Sequence, residues 1–96
     1  MKSQDSIDKV LNQQELRFRL VVAELELAAT FSDLALNTTM GDRFRRNSEL
    51  AYEAYDTALR FLTGCVLTTQ RMQIITNRLQ EVGPKLKDLD RFLAQS

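Results

Sequence analysis

The side chains that could carry out chemistry in this chain are few, and histidine is not among them. Histidine is the usual general base near neutral pH and the commonest metal ligand, so its absence removes the most frequent catalytic and metal-binding arrangements. The sequence also contains no Gly-rich phosphate loop and no nucleophile motif. We therefore predict that the protein is not an enzyme, and that it holds no cofactor and no metal ion.

Paired carboxylates are a remaining source of acid–base chemistry, because two of them buried together have pKa values that are driven apart. At about 100° per residue, however, the acidic side chains of the first two predicted helices fall largely on polar seams. We favour solvated faces over a buried catalytic pair. The acidic side chains concerned are Glu24, Glu26, Asp33, Glu49, Glu53 and Asp56.

Cys65 is the one cysteine of the chain, so neither an internal disulfide nor a multi-thiolate metal site can form. It falls on the apolar side of the second predicted helix, near the end of that helix. A reactive thiol needs an electropositive, partly exposed environment, whereas a buried free thiol usually acts as a small hydrophobic side chain. We expect the inert role for Cys65, and a reducing, cytoplasmic location for the protein.

An arginine cluster, Arg43, Arg45 and Arg46, surrounds Phe44 in the segment GDRFRRNS. Guanidinium groups beside a helix N-terminus can bind phosphate or carboxylate groups, because their charge and the helix dipole act together. Arg45 and Arg46 also precede Glu49 by four and three residues, so surface ion pairs are the competing interpretation. The cluster is a candidate site for an anion or a nucleic acid.

Length and charge restrict the class of protein further. The 96 residues suggest a single domain, 1–96, and the 13 basic and 13 acidic residues cancel. Such a balance argues against a dedicated nucleic-acid or membrane-surface protein, because those usually carry excess Lys and Arg. No apolar run approaches the ~20 residues of a membrane span, and the first ten residues lack the apolar core of a secretory signal.

The chain reads as helix throughout, because three glycines and one proline are few for a β protein and no strand-like alternation persists. We predict helices over residues 5–37, 43–64 and 69–95. Gly41 breaks the chain after the first helix, and Thr68 is a candidate N-cap for the third. One continuous helix through residues 64–68 is the alternative.

The last helix has regular apolar steps of three and four residues that pass straight through Gly83-Pro84. Proline removes a helical hydrogen bond and clashes with the carbonyl four residues earlier, so a kink is expected there. The predicted fold is therefore all-α, an antiparallel up-down-up three-helix bundle with a kinked last helix at Gly83-Pro84.

The first helix is the centre of this prediction, because it is apolar on two opposite sides and a helix that is apolar nearly all round is buried. In one interpretation the other two helices cover both sides. In the other, the second side stays uncovered and forms a homodimer contact or a groove for a partner helix. That second side consists of Leu16, Leu20, Leu27, Phe31 and Leu34.

A family resemblance lies mainly within residues 25–82. Ala51, Tyr55, Ala58 and Leu59, in AYEAYDTALRFL, resemble the second helix of a tetratricopeptide repeat. Together with RMQIITNRLQEV, the segment is also similar to the three-helix microtubule-interacting-and-transport domain. Both resemblances imply a small helical scaffold that binds peptides or helices, and neither assigns a ligand-contacting residue.

Three functions follow from the sequence. The leading prediction is a non-enzymatic, cytoplasmic helical scaffold or adaptor that acts through protein–protein association, including homodimerisation through the first helix. The alternative is an anion- or nucleic-acid-binding accessory protein that uses the arginine cluster. The third is a small all-helical enzyme, because Ile7 and Asp8 followed by Arg17 resemble the all-helical chorismate mutases, which implies inward-pointing basic residues around a dianionic substrate.

Overall fold

The computed structural model describes residues 2–38 and 41–95, with side chains described for these ranges apart from residues 2–8 and 11. Three helices make up the described chain: α1, Lys2–Leu36; α2, Gly41–Leu62; and α3, Thr69–Gln95. No strand is present among these residues. The predicted all-α three-helix bundle is confirmed.

Cross-helix ion pairs define the direction of α3. Arg71 contacts Glu15 at 2.7 Å and Lys85 contacts Asp33, also at 2.7 Å. Sequence numbers therefore increase in the same direction along both helices, so α1 and α3 are parallel. The Phe44 ring of α2 meets the Phe92 ring of α3, near opposite ends of their helices, so α2 is antiparallel to both.

The helix ends differ slightly from those predicted. Helix α1 begins at Lys2, three residues early, and α2 runs from Gly41 to Leu62, where we predicted 43–64. The early start of α2 places Asp42 in the first turn, where a carboxylate is favoured by the helix dipole. The position of Asp42 directly before residue 43 also predicts an N-cap for a helix that begins there; because α2 begins at Gly41, Asp42 lies inside the helix and that prediction is wrong.

The connection between α2 and α3 is a genuine break, so the continuous-helix alternative is wrong. Residues 63–68 are not helical. The hydroxyl of Thr68 accepts a hydrogen bond from the Arg71 amide at 3.1 Å, as an N-cap does. Helix α3 then runs uninterrupted through Gly83 and Pro84, and the kink there stays a prediction.

Small side chains bring α1 and α2 closest together. Helix α1 contributes Ala28, Ser32 and Ala35, all fully buried, and the buried residues of α2 that face them are all small. Helix α3 closes the core with larger aliphatic side chains, and the half-buried Tyr52 and Tyr55 of α2 also pack against the core. The buried side chains of α2 and α3 are Ser48, Ala51, Ala54, Ala58, Ile75, Val82, Leu86 and Leu89.

Helix α1 is longer than the rest of the bundle. Its 35 residues span roughly 52 Å at about 1.5 Å each. Gln14 holds the α2–α3 connection: its Nε2 donates to the Gly64 carbonyl at 3.4 Å, and its Oε1 accepts from the Val66 amide at 2.9 Å. Residues 2–13 therefore project past this connection, which agrees with the exposure of Val10. The side chains of Ile7 and Leu11 lie outside the described residues.

Candidate association surface

The second apolar side of α1 lies on the surface of the chain. Helices α2 and α3 both pack on the opposite side, against Val21 and Leu25. The interpretation in which these helices cover both sides is therefore wrong. Phe31 alone is half-buried, against the core. The other four residues, Leu16, Leu20, Leu27 and Leu34, are 59%, 43%, 43% and 48% exposed.

Two further exposed residues, Ala23 and Thr30, complete this surface. Together the six positions alternate steps of four and three residues, which is the spacing of the contact positions in a coiled coil. They form a strip of roughly 27 Å at about 1.5 Å per residue. We call this surface the α1 leucine strip: Leu16, Leu20, Ala23, Leu27, Thr30 and Leu34. The two small members were not part of the predicted second side, which consisted of large apolar residues only, although their alternating spacing is visible in the sequence.

An open groove with a volume of about 360 Å³ separates the strip from α3. On the α3 side it is bounded by Ile74, which is 38% exposed. Most of its walls are apolar, so the apolar surface of the strip continues sideways as far as α3. The groove is lined by Phe18, Arg19, Val22, Ala23, Glu26 and Ile74.

Charged side chains along the α3 side of the strip already have partners. Glu26 contacts Arg78 at 2.9 Å, and Asp33 accepts from Lys85 through both oxygens, at 2.7 and 2.9 Å. Arg19 contacts Glu15 at 3.2 Å but is largely exposed. These pairs hold α3 beside α1, and they place charges along the edge of an apolar surface.

At the other side of α1, Arg17 closes the C-terminus of α2. Its guanidinium donates to the Phe61 carbonyl at 3.4 Å and lies 5.7 Å from the Phe61 ring centroid. A Cβ on Gly64 would come 2.7 Å from Arg17 Nη1, so glycine permits this close approach. A cation at this position interacts favourably with the negative end of the helix dipole. In this fold the guanidinium of Arg17 therefore caps the C-terminus of α2.

The Cys65 thiol is half-buried and contacts the Phe61 carbonyl, with 3.4 Å between Sγ and O. Burial raises its pKa, and the positive charges of Arg17 and Arg71 offset part of that rise. The thiol therefore keeps its proton at neutral pH, which is the opposite of what a nucleophilic cysteine requires.

The arginine cluster is exposed at the beginning of α2. Among the described residues, Arg43, Arg45 and Arg46 take part in no ion pair, so the competing pairs with Glu49 do not form. Phe44, in the middle of the cluster, packs edge-to-face on Phe92 with 6.1 Å between ring centroids. The structure therefore places three cations at the positive end of a helix with no ion-pair partner among the residues that it describes.

The acidic residues considered for acid–base chemistry are exposed or half-buried along the helices. Within residues whose side chains are described, no three carboxylates or thiols come close enough to hold a metal ion. None of the described helices is both long and apolar enough to cross a bilayer.

Comparison with protein-family models, curated proteins and solved structures finds no match for this chain. The resemblance to tetratricopeptide and microtubule-interacting-and-transport domains therefore stays a prediction.

Proposed function

We propose that the protein is a non-enzymatic helical scaffold that acts through protein–protein association, and that it self-associates through the α1 leucine strip. One observation carries this proposal: four leucines in a single row are 43% to 59% exposed, while the opposite side of the same helix is buried. Contiguous exposed apolar surface of this kind marks interaction sites in soluble proteins.

The surroundings of the strip support association over catalysis. Its charged neighbours Glu26 and Asp33 are used to hold α3 in place. The Cys65 thiol is kept neutral. What remains free is apolar surface with coiled-coil spacing, which suits another helix. We place this activity in the cytoplasm, where a single unpaired thiol stays reduced.

The magnitude of the association follows from the exposed fraction of the leucines. Full burial of a leucine side chain stabilises by about 1.5–3 kcal/mol, and Leu27 has 43% of its surface left to bury. In a symmetric dimer this residue contributes twice, or roughly 1.3–2.6 kcal/mol in total. Its loss should weaken dimerisation about 10- to 80-fold, and a buried glutamate in its place costs more.

Light scattering after size exclusion, repeated across the micromolar range, tests the proposal. Wild type is expected to approach the dimer mass as concentration rises, while Leu20→Glu and Leu27→Glu stay monomeric. The matched control is Leu59→Glu, because Leu59 is 37% exposed on α2, away from the strip, and should dimerise like wild type. Circular dichroism establishes that each variant is folded. A wild type that is monomeric at every concentration contradicts self-association.

A second candidate function rests on the three exposed arginines at the start of α2, which form no ion pair with any described residue. They would bind a polyanion through charge alone, so affinity for single-stranded DNA should fall as salt rises. Replacing Arg43, Arg45 and Arg46 by alanine together should abolish that binding. The matched control also removes three exposed cations, Arg60, Lys87 and Arg91, from other parts of the surface. Equal binding by both variants would remove this function.

A further inference from the structure

Resting on the proposed self-association, we propose that two copies of this chain pack their α1 helices antiparallel along the α1 leucine strip. The two-fold axis is perpendicular to the helices and level with Leu25. Three features of the strip and its edges define this arrangement: the order of large and small residues, the position of Ile74, and the distribution of charge.

When the strip pairs with a reversed copy of itself, its two central leucines come opposite small side chains. Turning the helix about residue 25 places Leu20 opposite Thr30 of the second copy, and Leu27 opposite Ala23. Two large side chains meet only at the ends, where Leu16 faces Leu34. Large side chains that face small ones interdigitate without voids.

A parallel pairing of the same strip packs less well. Each residue would then face its own copy, so Leu20 meets Leu20 and Leu27 meets Leu27. Between these wide layers, Ala23 would face only Ala23 and leave unfilled space. Voids of this kind forfeit dispersion contacts, so the sequence of the strip favours the reversed orientation.

Ile74 adds a second reason. It lies beside Ala23 on the α3 side of the strip, across the open groove. In the antiparallel arrangement the α3 sides of both copies are adjacent, so the two Ile74 side chains come together over the axis. The exposed isoleucine then becomes part of one continuous apolar contact. Parallel pairing would place it next to α2 of the second copy.

The charges at the two ends of the α3 side are also complementary under reversal, whereas the charge of Glu26, one residue from the level of the axis, is already paired with Arg78 of its own copy. Arg19 lies near the beginning of the strip and Asp33 near its end. The antiparallel arrangement brings Arg19 of each copy beside Asp33 of the other. Arg19 is free to move there because its side chain is 72% exposed. The Asp33 carboxylate accepts from Lys85 and has lone pairs left for a second donor.

Removing the charge of Glu24 should change the dimer affinity in opposite directions for the two orientations. It is half-buried on the α2 side of the strip, one residue from the level of the axis. Antiparallel pairing brings the two Glu24 carboxylates towards each other, so removing their charge should strengthen the dimer. Parallel pairing brings Glu24 beside Arg19 of the second copy, where a coiled coil forms its flanking ion pairs, so removing the charge should weaken it.

The size of the surface sets the expected affinity. A strip one helix wide and roughly 27 Å long is small beside the ~800 Å² per partner of a standard interface. We therefore expect a dimer that exchanges subunits readily, at micromolar concentrations. Rapid exchange allows two different variants to be mixed and to form mixed dimers.

Cross-linking tests the orientation directly. In a Cys65→Ser background, Gln13→Cys and Asn37→Cys place a thiol just beyond either end of the strip, at exposed polar positions. Reversal about residue 25 pairs position 13 with position 37. A short bismaleimide should therefore join a mixture of the two variants, while each variant alone gives no cross-linked dimer, because its two thiols lie roughly 36 Å apart, at about 1.5 Å per residue.

The outcomes separate this inference from the proposed function. Cross-linking of each variant with itself shows parallel pairing, which overturns the inference and leaves self-association intact. A dimer that gives no cross-link in any mixture also overturns it. A monomer by light scattering overturns the inference together with the self-association on which it rests. Sedimentation equilibrium supplies the second measurement: Glu24→Gln should lower the dimer dissociation constant, and an increase contradicts the antiparallel arrangement.

Discussion

Replacing Ser48 by alanine should make the protein more stable. Ser48 is buried between α1 and α2 with 1% of its surface exposed, and its hydroxyl has no hydrogen-bond partner among the described residues. Ser32 provides a matched control, because it is fully buried on the facing helix. Its hydroxyl donates to the Ala28 carbonyl at 2.7 Å. The two serines therefore differ mainly in whether the hydroxyl is satisfied.

The magnitude follows from that difference. An unsatisfied buried hydroxyl costs about 1–3 kcal/mol, and alanine is a better helix former than serine by about 0.5 kcal/mol. Only the dispersion contacts of one oxygen atom are lost in return, so Ser48→Ala should raise the free energy of unfolding by about 1–2 kcal/mol. In Ser32→Ala, a hydrogen bond worth about 0.5–1.5 kcal/mol is lost and the same helix preference is gained, so the net change is small.

Thermal denaturation followed by circular dichroism measures both variants. For a domain of this size, about 1 kcal/mol shifts the melting temperature by roughly 4–8 °C, so Ser48→Ala should melt at least that much higher than wild type. Protein concentration has to be equal in all samples, because self-association changes the apparent stability. The reasoning is refuted if Ser48→Ala melts at or below the temperature of Ser32→Ala.

Two further predictions concern the connection between α2 and α3. Gly64→Ala should destabilise only slightly, by less than about 1 kcal/mol, because its Cβ displaces the flexible end of Arg17 and forfeits the 3.4 Å hydrogen bond to the Phe61 carbonyl, while the reduced freedom of the unfolded chain offsets part of that cost. Urea denaturation in an Arg17→Ala background should show a smaller cost, and an equal cost would contradict the steric explanation. Burial raises the pKa of Cys65, so its alkylation by iodoacetamide at pH 8 should be slower in the folded protein than in urea. A group whose pKa is higher in the folded state stabilises that state fully below its unfolded pKa, here about 8.5, and loses this contribution as the pH rises through the folded pKa. The stability of wild type relative to Cys65→Ser should therefore fall above about pH 8.5.

The three helices could be predicted from the sequence because their apolar residues recur with helical spacing over many turns. Thr68 was also predictable as a cap, since its side chain acts locally. The start of α2 at Gly41 was not predictable. The helix-breaking tendency of glycine favours a start after Gly41, whereas the preference of a carboxylate for the first helical turn favours a start before Asp42. Local signals of similar strength leave a helix end undetermined by a residue or two.

The candidate surface was predictable only as one of two alternatives. The sequence shows that α1 is apolar on both sides, but the side that the chain covers depends on packing between distant residues. Small side chains such as Ala28 and Ala35 allow α2 to approach one side of α1 closely. The larger leucines on the other side would hold a neighbouring helix further away. Contacts such as Arg17 with Gly64 join residues that are far apart in the sequence, and no local sequence pattern predicts them.

The parallel arrangement of α1 and α3 has a consequence for the electric field of the molecule. Each helix carries partial positive charge at its N-terminus and partial negative charge at its C-terminus. Because α2 alone runs in the opposite direction, one copy keeps the macrodipole of a single helix uncompensated. A second copy turned end over end would cancel that residual field, whereas a copy in the same orientation would double it.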